Sequence, residues 1–118
     1  MASASRIDID GQAASRFLVS QVILIDPAQH LPIIIGELGN LGEKASGGMV
    51  ELRKAQAAAA ASPRFRKGTV AFVKTTPFAR PRELSPNPGH GHHWFGNAES
   101  YFLIGDALGR ALLKLTVK

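Results

Sequence analysis

Apolar positions along this chain gather into blocks bounded by Gly, Pro or small polar residues, and each block has its own period. Met49 to Ala61 holds Met49, Val50, Leu52 and an almost unbroken alanine run, introduced by Ser46-Gly47-Gly48 and stopped by Ser62-Pro63. Alanine has the highest helix propensity and almost no profile, so a helix lying close on its neighbour is predicted over 49–61. Farther on, Tyr101, Ile104, Gly105, Leu108, Ala111, Leu112 and Leu115 recur at three- and four-residue steps, the period of a helix with one buried face. Asn97 suits its N-cap, and Glu99 in the first turn suits the positive end of the helix dipole. Gly105 and Gly109 fall one turn apart on or beside the predicted stripe. Glycine in a helix costs roughly 1 kcal/mol relative to alanine, so the pair implies that another backbone comes close there. Gly105→Leu is accordingly expected to overpack, and Arg110→Leu, off the stripe, to be tolerated.

Two blocks have no helical period. Leu31-Pro32-Ile33-Ile34-Ile35-Gly36-Glu37-Leu38 is a continuous run rich in β-branched residues, as in a strand covered on both faces of a parallel sheet, with Pro32 tolerable only at its start. Thr69-Val70-Ala71-Phe72-Val73-Lys74 reads as a second such strand. Phe17 to Ile25 is apolar but fits a helix, a strand or one running into the other, and Asp26-Pro27 closes it. Residues 1–15 are small and polar and are expected to be poorly ordered, leaving 16–118 as the folded part. The order strand, helix, strand, helix is a βαβα unit with parallel strands and a right-handed crossover, so the expected class is α/β with a small parallel sheet. Thr75 to Asn97, with Pro77, Pro81, Pro86 and Pro88, is a long connection without a period. Such connections are often functional.

Length limits the chain to one small domain. A hydrophobic content of 45% makes disorder throughout an unsuitable reading. With no cysteine, disulfide scaffolds and thiolate metal sites are excluded. The apolar runs are far shorter than the roughly 20 residues of a membrane helix, and the N-terminus lacks the apolar core of a secretory leader; if complete, the chain is expected in the cytoplasm, away from membranes. The net charge of +5 concentrates in Arg64, Arg66, Lys67, Lys74, Arg80 and Arg82. No nucleic-acid motif and no interleaved aromatics accompany them, so they read as a solvated surface and no nucleic-acid partner is expected.

Candidate chemistry lies in Gly89-His90-Gly91-His92-His93-Trp94-Phe95-Gly96, too rich in Gly and His for regular structure. In open α/β sheets ligands bind beyond the carboxyl ends of the strands. That edge is Gly36-Glu37-Leu38-Gly39 after the first strand and Thr75-Thr76 after the second, and the histidine segment enters the last helix from the same edge. Glu37, Thr75, Thr76, His92 and His93 can therefore converge, with Trp94 and Phe95 as lids. A metal reading, His90-x-His92-His93 with His30 or Glu37, has no helical His-x-x-x-His spacing behind it; no metal or other cofactor is expected. Structural or solvent-exposed histidines are the remaining alternative.

The run His92-His93-Trp94, then Gly96-Asn97-Ala98-Glu99-Ser100-Tyr101-Phe102-Leu103-Ile104-Gly105-Asp106-Ala107-Leu108-Gly109, resembles the C-terminal block of sialate O-acetylesterase-like proteins, SGNH-type hydrolases related to carbohydrate esterase family 6. Leu31 to Gly39, Arg53-Lys54-Ala55-Gln56-Ala57-Ala58 and Val70-Ala71-Phe72-Val73 are similar to earlier stretches of the same family, so the likeness runs in order from about Leu31 to Leu115. It implies a flavodoxin-like three-layer sandwich, of which this chain would be the C-terminal part, and an ester or acetylated-sugar substrate. It assigns the general-base role to His93, with His92 as the rival. Two features depart from the pattern. The Gly-Gln-Ser block that supplies the nucleophile is not found, since Gly11-Gln12 is followed by Ala13. The Asp usual three residues before the catalytic His is replaced by His90, or by Gly89 if His92 is the base. The expected function is therefore the back half of a carboxylic ester hydrolase, inactive alone. The alternative is a small non-catalytic α/β module that self-associates or binds a partner. With so narrow a sheet, a homo-oligomer or a missing N-terminal half is expected to cover what the chain leaves exposed.

Overall fold

In a computed structural model, Ser15, Arg16, residues 18–21 and residues 31–117 are described. The expectations for the first residues, for Val22–Ile25 and for His30 fall outside them. Strand β1, Ile33–Gly36, and strand β2, Val70–Val73, pair in parallel with Ile33 opposite Val70 and Gly36 opposite Val73. Helix α1, Gly48–Ala60, connects them, and helix α2, Ala98–Thr116, follows β2 after a long excursion. The molecule is thus a mixed α/β structure on a small parallel sheet, in the predicted βαβα order. Residues Ser15, Arg16 and 18–21 are helical.

The two helices pack on opposite faces of the sheet. Ile33, Ile35 and Val70 point to one side, where they join Val19, Ala59 of α1 and Phe65 in the apolar core. Alternate residues point to the other, where Gly36 lets Leu108 of α2 approach to 3.4 Å of the place a Cβ would occupy. Ala55 and Ala59 are fully buried, which is where the thin profile of the alanine run is used. Neither strand is covered as its composition led us to expect: every residue of β1 and β2 is only half-buried. A pair of four-residue strands has an outer edge on each side, and among the described residues no further strand flanks it.

The rotation of α2 also differs from the predicted stripe. The half-buried positions are Leu103, Ile104, Ala107, Leu108, Ala111 and Leu115, beginning from fully buried Ser100, whereas Tyr101, Gly105 and Leu112 are exposed. A Cβ at Gly105 or Gly109 would meet nothing within 4 Å, so the close backbone and the overpacking expected of Gly105→Leu are not found among the described residues. The cause is that α2 is apolar on two faces, and hydrogen bonds at its start decide which one turns inward. Asn97 caps the helix by accepting from the Ser100 amide at 3.1 Å, and the Ser100 hydroxyl donates to the Phe78 carbonyl at 2.7 Å. Ser100→Ala is expected to cost about 1–2 kcal/mol in urea unfolding, by leaving that carbonyl without its partner in a site that excludes water. Ser100→Val should cost more, since the site has no room for the added methyl.

The Thr75–Asn97 connection is not structureless. It folds as successive 3-10 turns at Thr76–Phe78, Arg82–Leu84 and Gly91–Gly96. Arg80 grips Glu99 with two nitrogens, each at 3.0 Å, and Ser85 links the Asn97 amide to the Pro81 carbonyl. The prolines that remove backbone donors are thus compensated by side chains that staple the connection to the first turn of α2.

Candidate functional site

Beyond the carboxyl end of β1, Glu37 continues the ladder, its amide donating to Val73 at 2.8 Å. Its carboxylate then turns across to the segment after β2. Oε2 accepts from the Thr75 amide at 2.9 Å, the Thr76 amide at 2.8 Å and the Thr76 hydroxyl at 2.6 Å, while the Thr75 hydroxyl donates to the Glu37 carbonyl at 2.7 Å. Partial burial pushes the Glu37 pKa up. The donated hydrogen bonds from Thr76 and Thr75, with Arg53 nearby, outweigh it and hold the carboxyl below its ordinary value. Thr75 and Thr76 are 1% and 5% exposed. The convergence of Glu37, Thr75 and Thr76 expected from the sequence is therefore present, but as a closed clasp. Both threonine hydroxyl protons are used internally, so these side chains floor the site and do not reach outward for a substrate.

From α1, Arg53 donates to the carbonyls of Leu38 at 2.6 Å and Gly42 at 3.0 Å, and Gln56 bonds both the Leu38 amide and the Gly36 carbonyl. Neither residue was singled out for a role by sequence reasoning. A polar pair three residues apart in an alanine-rich face was the available signal. Gly39 completes the clasp by lying against Thr75 and Thr76, too close for any side chain.

The next turn carries the link to the histidines. Asn40, 3% exposed, donates through Nδ2 to the Gly91 carbonyl at 2.9 Å, and a Cβ on Gly91 would fall 2.9 Å from Leu41. The loop after β1 thus holds the turn Gly91–Gly96, in which His92 and His93 are exposed and Trp94 is half-buried. The imidazole centroids of His92 and His93 are 4.1 Å apart, and His90 lies 5.8 and 6.3 Å from them. Trp94, Phe95 and Gly96 all have positive φ, at 54°, 55° and 66°. A left-handed conformation costs a bulky residue roughly 1–2 kcal/mol. Hydrogen bonds hold it in place: Phe95 N–H to the His90 carbonyl, Asn87 N–H to the Phe95 carbonyl and Asn97 N–H to the Trp94 carbonyl, all at 2.9–3.0 Å. The Tyr101 hydroxyl donates to the His93 carbonyl. The strained turn folds the Phe95 ring back beside Gly91 and leaves the imidazoles outside.

No family model, characterised protein or solved structure matches the chain significantly. The site's own geometry therefore carries the reading. A cleft of about 450 Å³ opens beside the clasp, lined by Asn40, Leu41, Lys44, Thr76, Arg80 and Phe95 among others. The histidines stand on the outer side of the turn that supplies Phe95 to this cleft, and are not among its lining residues. Among the described residues no histidine is ion-paired to a carboxylate, and no group of three His, Cys, Asp or Glu side chains is arranged to hold a metal ion. No described helix is long and apolar enough to cross a membrane.

Proposed function

We propose that this chain is the C-terminal part of a sialate O-acetylesterase-like hydrolase of the SGNH type, with a flavodoxin-like sandwich as the complete fold, and that His93 is its general base, with His92 the rival. The observation that carries this reading is the placement of the His92–His93 turn. It immediately precedes the last helix and is tied by Asn40 to the loop at the carboxyl end of β1. An exposed imidazole on a turn fixed from both sides suits proton transfer to and from a hydroxyl nucleophile presented by a neighbouring segment. Aryl acetates and O-acetylated sugars are the substrates to try, with Trp94 beside the reacting ester.

The chain alone is expected to hydrolyse an aryl acetate no faster than buffer, because losing a member of a Ser-His-Asp set costs on the order of 10⁴- to 10⁶-fold. Supplied with an N-terminal segment bearing a Gly-Gln-Ser block, from a full-length esterase of the resembled kind, it is expected to turn over. His93→Ala should abolish that turnover. Hydrolysis by the chain alone, lost in His93→Ala, would instead make a serine of its own, Ser15 or Ser46, the nucleophile. Hydrolysis in the complemented protein that survives both His93→Ala and His92→Ala would remove these histidines from the chemistry. A second reading, a non-catalytic self-associating module, is favoured by a separate observation, the apolar outer face of α2.

A further inference from the structure

Helix α2 has a second apolar face that none of the described residues covers. Phe102 is 73% and Leu113 60% exposed, and Tyr101 and Leu112 are each close to half-exposed. On a helix of 3.6 residues per turn these four side chains form two borders, Phe102 with Leu113 and Tyr101 with Leu112. Gly105 and Gly109 run between them, opposite the face that packs on the sheet. The two glycines cost helix stability, roughly 1 kcal/mol each, and nothing among the described residues uses their missing side chains. Asp106 and Arg110 flank the Phe102–Leu113 border, paired with each other at 2.8 Å and both exposed.

This face is two-fold symmetric in its chemistry. Reversing the helix about Ala107 exchanges Gly105 with Gly109, and brings Phe102 within one residue step of Leu113, Tyr101 within one of Leu112 and Asp106 within two of Arg110. Glycine thus falls on glycine, large apolar side chains fall beside large apolar ones, and an acid falls about 3 Å along the axis from a base, within reach of both side chains. We infer that the outer face of α2 docks against the same face of a second copy of this chain, with the two helices antiparallel. An isologous contact needs this self-complementarity. A partner of other composition would need it on neither side.

In such a pair Gly105 lies against the partner's Gly109, letting the backbones approach as no other residue allows. Phe102 packs beside the partner's Leu113, and Tyr101 beside the partner's Leu112. Asp106 faces the partner's Arg110 on each side of the axis, giving two charge pairs that set the direction of the helices. Burying the four apolar side chains from both copies removes on the order of 900 Å², and the glycine groove brings the contact to about the 1,000 Å² of the smallest specific interfaces. The dimer is thus expected in the micromolar range. Tyr101, at one end of this face, also holds the His93 carbonyl, but association is read without any esterase measurement, so the dimer stands or falls separately from the esterase reading.

Sedimentation equilibrium on the whole chain tests this. The wild type is expected to pass from 12.6 kDa towards twice that mass across the micromolar range. The double variant Phe102→Glu with Leu113→Glu should stay at the monomer mass with an unchanged far-UV circular dichroism spectrum. Asp106→Arg should weaken the dimer by about tenfold, and combining it with Arg110→Asp should restore it, an outcome that general stickiness cannot produce. Because the chain has no cysteine, direction can be read by oxidation: Phe102→Cys with Leu113→Cys should cross-link, and Phe102→Cys alone should not. A monomer at every concentration, a dimer that survives the two glutamates, or cross-linking by Phe102→Cys alone would overturn the inference.

Discussion

Glu37→Ala is expected to lower the stability of the chain by about 2–3 kcal/mol, a large part of what a small domain possesses. Three donors converge on Glu37 Oε2, and they belong to Thr75 and Thr76, both almost wholly buried. Removing the carboxylate leaves two amides and a hydroxyl without their acceptor, and because Glu37 itself is only half-buried, water can replace part of what is lost. A lost bond to a charged group costs roughly 1.5–3 kcal/mol when its partner stays buried; the three do not add in full, because the loop can relax. Glu37→Gln keeps an acceptor oxygen and loses only the charge, so its cost should be nearer 1–2 kcal/mol.

The pH dependence separates the two contributions. The folded pKa of Glu37 lies below its ordinary value of 4.5. The unfolded chain therefore binds the proton first as pH falls, and stability is lost on acidification. The charge contribution is complete above about 4.5 and disappears as pH drops through the folded pKa. Wild type and Glu37→Gln should accordingly differ at neutral pH and converge in acid. Urea unfolding at both conditions measures it, and an unchanged gap between the two proteins would mean that the clasp does not depend on the charge.

The element order was legible in the sequence because each element has a local cause. Ser46-Gly47-Gly48 before the alanine run and Ser62-Pro63 after it bound α1 to within a residue of its observed ends. The β-branched runs marked both strands, although the paired segments are shorter than the apolar blocks. How deeply those strands are buried was not legible, since composition reports what a strand could bury and not how many neighbours it has. The same holds for α2. Its period was correct, but with Tyr101, Phe102, Leu112 and Leu113 on one side and Leu103, Ile104, Leu108 and Leu115 on the other, periodicity alone could not say which side faces the sheet. The Ser100–Phe78 hydrogen bond, a contact across 22 residues, decides it.

The candidate site was legible in part for a related reason. That Glu37, Thr75 and Thr76 meet follows from two parallel strands ending together. That they consume one another's hydrogen-bonding capacity depends on the rotation of one carboxylate, which no spacing encodes. Asn40 stands between Gly39 and Leu41 in no motif that marks it. Its side chain is nonetheless what connects the sheet to the histidine turn. The left-handed backbone at Trp94 and Phe95 was invisible for a plainer reason: aromatic residues are poor candidates for it, and only the surrounding hydrogen bonds reveal why they adopt it.

Gly39→Ala, the addition of one methyl group, is expected to be as damaging as removal of the Glu37 carboxylate. A Cβ at Gly39 would sit on the Thr75 hydroxyl, 2.5 Å from the Thr76 amide nitrogen and 2.7 Å from the Thr75 carbonyl carbon. Two of these three atoms are backbone, so no rotamer change relieves the overlap, and the segments after β1 and β2 must separate. Overpacking of this kind costs about 1–3 kcal/mol by itself. Here the separation also lengthens the Glu37 hydrogen bonds to Thr75 and Thr76, so a total of about 2–3 kcal/mol is expected. Because both changes open the same clasp, the double variant Gly39→Ala with Glu37→Ala should be little less stable than either single variant. Gly89→Ala is the control, since a Cβ there meets nothing within 4 Å and its φ lies outside the left-handed region. It should unfold within about 0.5 kcal/mol of the wild type. Urea midpoints for the four proteins decide the matter. Full additivity of the Gly39 and Glu37 effects, or a Gly39→Ala variant as stable as Gly89→Ala, would show that the two loops are not held together in the way the structure places them.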